Sequence, residues 1–150
     1  MNRPPSILNF ERLYLASIAV YVLGTILFWG QAREAALAAP QVQAAPAIAT
    51  MVPGIMIGSL LLIVLASLLF WWLVARARSV VGKWLVVVTE AFGVLYALYL
   101  LIGLASGAAM TGSIVVSLLA TVLAAAAAVM LFRADATAWL NEDTPVEPMA

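Results

Sequence analysis

The chain has no cysteine and no histidine, and only 9% of its 150 residues are charged. Without cysteine, disulfides, thiolate metal sites and cysteine nucleophiles are excluded. Without histidine, imidazole metal ligation, histidine-ligated haem and histidine acid–base chemistry are excluded as well. Seven basic and seven acidic residues cancel, so the chain offers no electrostatic footprint for nucleic acid. An ordinary soluble domain is about a quarter charged. A chain that is 66% hydrophobic with so little charge has no polar coat to dissolve it.

The apolar residues fall into four runs near the ~20 residues that cross ~30 Å of hydrocarbon. They are about 13–30, 53–75, 80–105 and 113–132, with a polar tail over 141–150 expected to be disordered. Lipid leaves backbone polar groups no outside partner, so each span must be helical. The expectation is an all-α membrane protein: one domain, 1–150, forming a four-helix transmembrane bundle of up-down-up-down order. A signal peptide is the competing reading of the first run, with Arg3 before it and Ala36-Leu37-Ala38 resembling a cleavage site. The run exceeds a signal core and Glu11 lies ahead of it, which favours a retained span. Residues 31–39 of the first connector, rich in alanine and carrying Glu34, can prolong that helix, since alanine and glutamate are good helix formers.

Charge placement sets the orientation. Arg3 and Arg12 precede the first span, Arg76, Arg78 and Lys83 separate the second from the third, and Arg133 follows the fourth. Only Arg33 falls on the opposite side. The positive-inside rule then places both termini in the cytoplasm. Trp71, Trp72 and Trp84 fall at the cytoplasmic boundary and Trp29 at the outer one. Glu11, Arg12, Arg76, Arg78, Lys83, Arg133 and Asp135 together form a cytoplasmic rim, able to make ion pairs between helix ends or to contact anionic lipid. Asp135 is also placed to cap a short helix whose Trp139 and Leu140 lie in the interface.

Glu90 is the one ionisable side chain well inside a span, about 10 Å beyond Lys83 at 1.5 Å per residue. A charge at mid-bilayer costs roughly 2.5–3.5 kcal/mol. A polar tie between helices is the first reading of Glu90, and a proton- or cation-linked carboxylate the second. Small residues four apart mark close helix approach: Gly54 and Gly58 in span two, Gly93 and Ala97 in span three, Ser117 and Thr121 in span four. Packing within one bundle is the first reading there, docking of another chain the second. Tyr21, Tyr96 and Tyr99 lie within spans and need hydrogen-bond partners, either backbone carbonyls in a core or the wall of a polar cavity.

Three boundary segments carry a resemblance. They are Arg3-Pro4-Pro5-Ser6-Ile7 through Phe10-Glu11-Arg12-Leu13-Tyr14-Leu15, Arg76-Ala77-Arg78-Ser79 through Lys83-Trp84-Leu85, and Phe132-Arg133-Ala134-Asp135-Ala136 through Trp139. Together they resemble a group of uncharacterised small bacterial four-span membrane proteins. The resemblance implies a bacterial inner membrane and directs attention to the rim, but it brings no catalytic residues.

The functional expectation is a non-enzymatic membrane component, accessory or assembly-related, acting through helix and lipid contacts. Its expected partners are membrane lipids and either a second copy or another membrane protein, with no nucleic acid, cofactor or metal. The alternative is a small transporter or channel using Glu90. Four-span multidrug exporters are similar in size but carry their key glutamate in the first span, whereas Glu90 is in the third.

Overall fold

The computed structural model describes residues 3–107 and 109–141. The expected tail lies almost wholly outside those residues. Within them the chain is helical, with no strand. Its elements are α1 (Pro5–Leu27), α2 (Trp29–Leu37), α3 (Pro40–Gln43), α4 (Pro46–Ala75), α5 (Val80–Ala105), α6 (Gly112–Met130) and α7 (Ala134–Asn141). Four of them, α1, α4, α5 and α6, are long and apolar enough to cross a membrane.

Local chemistry explains most of the boundaries. Prolines open α1, α3 and α4, where the missing N–H would have had no helical partner. The α1 helix starts at Pro5, where the Pro4-Pro5 pair suits a helix start, and its first two turns bury Ser6, Ile7 and Phe10 ahead of the apolar run. It ends at Phe28, whose φ of −108° and ψ of 22° break the helix before α2 takes the chain onward. The expected extension over 31–39 is therefore a separate element. Ser79 caps α5 by accepting from the Gly82 N–H at 3.1 Å, and Thr111 caps α6 through Ile114. Between α4 and α5 the chain turns through Arg78, held at a φ of 50°.

The helix ends meet in a definite pattern. Ser6 at the start of α1 bonds to Asp135 of α7. Near the far end of α1, Gly24 lies against Val116 and Phe28 against Gly112 at the start of α6. Gly82 at the start of α5 lies against Leu73 near the end of α4. The close-packed core gathers at the end of the bundle shared by Ser6 and Asp135. There Ile7, Phe10, Val74, Val86, Leu131 and Trp139 are buried together. The Phe10 and Tyr14 rings stack at 5.2 Å between centroids. Most of α4 and α5 instead presents apolar side chains outward, Leu62 and Phe92 among them, a surface that suits lipid rather than water.

Candidate functional site

Beyond Tyr14 the helices part, and a cavity of about 310 Å³ opens between them. All four long helices line it. The α1 helix contributes Tyr14, Ser17, Ile18 and Tyr21, which recur every three or four residues and so share one face. Ile63, Val64 and Ser67 come from α4. Glu90, Gly93 and Tyr96 come from α5, and Ser117, Ala120, Thr121 and Ala124 from α6. Among these lining residues Glu90 is the one charged group, and no basic side chain faces it across the cavity. Gly93 keeps the wall open beside it. A Cβ there would sit 3.7 Å from Glu90 Oε2 and 3.9 Å from Thr121 Cγ2.

Two hydroxyls of the wall, those of Ser17 and Thr121, share one arrangement. Ser17 Oγ donates to the Tyr14 carbonyl at 2.7 Å, and Thr121 Oγ1 to the Ser117 carbonyl at 2.9 Å. Each hydroxyl thus spends its proton on its own helix, as Ser and Thr do in apolar surroundings. What remains free on each oxygen is acceptor capacity. Tyr14 is buried, with Ser67 as its hydrogen-bonding neighbour and Glu90 close enough to act on it electrostatically. The wall is therefore a carboxylate, phenols and acceptor oxygens set in aliphatic surface.

A second cavity of about 240 Å³ adjoins the first and shares Tyr21, Tyr96 and Ser117 with it. It continues past Gly24, Thr25 and Ser113 to Phe28 and Ala32, near the junction of α1 and α2. Together the two cavities extend from Glu90 toward the end of the bundle opposite the Ser6–Asp135 contact.

The rim residues divide by chemistry. Glu11 pairs with Arg3 at 2.7 Å and with Arg76 at 3.8 Å. Arg76 also lies over the Trp71 ring, Arg78 over Trp139 at 4.9 Å, and Lys83, which is buried, over Phe132 at 4.5 Å. Arg12 and Arg133 are exposed. Asp135 accepts from the Ser6 N–H at 3.1 Å and from Ser6 Oγ at 2.7 Å. Those bonds hold its carboxyl below the usual carboxylate range. Pro4 supplies no side-chain cap to α1, so a carboxylate from the far end of the chain takes over that role at the positive end of the helix dipole. The helix Asp135 serves is thus α1 as well as its own. Trp139 and Leu140 are buried against the bundle, because α7 folds back onto α1.

Of the packing residues, Gly93, Ser117 and Thr121 come together at the cavity, while Ala97 lies beyond its lining. Gly54 and Gly58 meet nothing within 4 Å and face outward. The intimate glycine contacts are others, Gly24, Gly82 and Gly112. Tyr21 and Tyr96 line the cavities, Tyr96 at their open side, where it is exposed and stacks with the likewise exposed Tyr99 at 6.3 Å. Tyr14, Ser17 and Ser67 were not singled out from the sequence. For Tyr14 and Ser17 the signal was their i, i+3, i+7 recurrence with Tyr21 along one face of α1; Ser67 on α4 carried no such signal. Compared with family models, curated proteins and solved structures, the chain matches none.

Proposed function

We propose that this chain is a small proton- or cation-linked carrier of a bacterial inner membrane, with Glu90 as its coupling carboxylate. The observation that carries the reading is the position of Glu90. It is the one charged group among the residues lining a cavity between all four long helices, where the Ser17 and Thr121 hydroxyls keep only acceptor capacity free. A carboxylate so placed holds either a proton or a cation, and exchanging one for the other couples their movements. A polar wall also offsets the cost of keeping a charge within the bilayer. The end-to-end contacts of α1 with α6 and of α4 with α5 support an up-down-up-down order. The gathering of Arg3, Arg76, Arg78 and Lys83 at one end supports cytoplasmic termini. Helical spans rather than outer-membrane strands, with the boundary segments that resemble small bacterial membrane proteins, support that choice of membrane.

The test is flux in liposomes loaded with a pH-reporting dye. Addition of a cationic substrate should drive proton efflux from vesicles holding the wild type, and Glu90→Gln should reduce it at least about tenfold while insertion stays intact. Flux that survives the substitution removes Glu90 from the mechanism.

A second reading, an accessory or assembly component without catalytic activity, has its own support. Gly54 and Gly58 leave a bare stripe on the outward face of α4, where another membrane helix could approach closely. Purification in mild detergent with a stoichiometric partner, lost on Gly58→Leu, would favour it. A chain that purifies alone would count against it.

A further inference from the structure

We infer that the ligand of the Glu90 cavity is a small protonated organic amine with a short apolar body; this rests on the carrier reading and gives it a substrate class. The cavity volume of about 310 Å³ is far more than a bare metal ion fills and falls at the small end of the range for small-molecule sites. Its one charge is negative, which selects against anions and, once desolvated, favours a cation. The hydroxyls of Ser17 and Thr121 already donate to backbone carbonyls and so offer lone pairs. An ammonium group brings N–H donors that fit them, and a quaternary nitrogen does not. The rings of Tyr14, Tyr21 and Tyr96 add surface that attracts cations. Ile18, Ile63 and Val64 supply aliphatic wall for a few methylenes, each worth about 0.8 kcal/mol when buried.

Intrinsic tyrosine and tryptophan fluorescence of the full-length protein in phosphatidylcholine nanodiscs reads the binding. The probes are n-butylammonium, tetramethylammonium, n-butanol and butyrate. Saturable binding of butylammonium, at least about tenfold tighter than each of the other three and lost by a similar factor on Glu90→Gln, is the expected result. Gly93→Leu supplies a second variant. The first carbon of its side chain meets only ordinary contacts, and the three carbons beyond it crowd the space beside Glu90, so it should weaken binding at least about tenfold with Glu90 intact. Repeating the titration in phosphatidylethanolamine discs separates the sources of the amine. Weaker apparent butylammonium affinity there identifies the lipid headgroup as a competing ligand, and unchanged affinity assigns the site to free amines. Equal binding of butanol and butylammonium, or binding indifferent to both substitutions, overturns the inference. Proton-linked flux of an inorganic cation that depends on Glu90, without amine binding, would discard the amine and leave the carrier. Glu90-dependent amine binding without flux would do the reverse.

Discussion

Replacing Gly24 by alanine should force α1 and α6 apart. An added Cβ would overlap Val116 Cγ1 and stand 2.8 Å from Val116 Cβ and 3.3 Å from Cγ2. Carbon atoms settle at about 3.5–4.0 Å, so the helices must separate by roughly 1.5–2 Å to clear Cγ1, and by about an ångström at Cβ even if Val116 leaves its rotamer. Overpacking of this kind costs about 1–3 kcal/mol. Val116→Ala removes both γ-methyls but keeps the Cβ contact, so the double variant should recover part of the loss, with a coupling of about 0.5–3 kcal/mol. Gly54→Ala and Gly58→Ala make the opposite comparison. Nothing lies within 4 Å of either glycine, and a helix-interior alanine should stabilise each by about 0.5–1 kcal/mol. Denaturant titration in mild detergent, followed by tryptophan fluorescence, measures all five variants. Stability unchanged by Gly24→Ala, or losses for Gly24→Ala and Val116→Ala that simply add, would refute the packing described for α1 and α6.

Two further outcomes concern helix ends. Ser79→Ala should destabilise the fold by about 1 kcal/mol, because the Gly82 N–H loses its acceptor, and Ser79→Asp should preserve it; an equal loss in both would rule out capping. Asp135→Asn should lower stability at neutral pH and cancel its own effect in acid. The folded carboxyl lies below its ordinary value of 3.8, so its contribution is complete above that value and disappears as pH falls through the lowered one. Unfolding temperatures of the two proteins should therefore converge in strong acid, and a constant gap would show that Ser6 does not hold the ionised form.

Much of this architecture is written in the amino-acid order because lipid removes alternatives. Long apolar runs must be helices, and so α4 through Ala75 and α5 over Val80–Ala105 fall where hydropathy places them. Glu90 stands out for the same reason, being costly wherever it is put. What the order conceals is pairing. Gly24 and Gly54 look alike in sequence, yet one is pressed against Val116 and the other meets nothing, because the choice depends on which helices become neighbours. Asp135 shows the same gap: its nearest use is its own short helix, and only the fold brings Ser6 within 2.7 Å. Tyr14 could have been found from its spacing to Ser17 and Tyr21, a polar line along one face of α1, had face been weighed as heavily as depth.

For Glu90 to act as a coupling carboxylate, it must face a water-accessible cavity inside the bundle. The natural lack of cysteine makes it directly measurable. Single-cysteine variants Ser67→Cys and Ser117→Cys, on the cavity wall, and Leu62→Cys and Phe92→Cys, on the outward surface, would be treated in intact proteoliposomes with small thiol reagents, one cationic and one neutral. The two wall positions should react and the two outward positions should not. Adding Glu90→Gln should slow the cationic reagent several-fold without changing the neutral one. Wall positions as inert as Leu62→Cys, or a cationic rate indifferent to Glu90, would contradict a water-accessible Glu90.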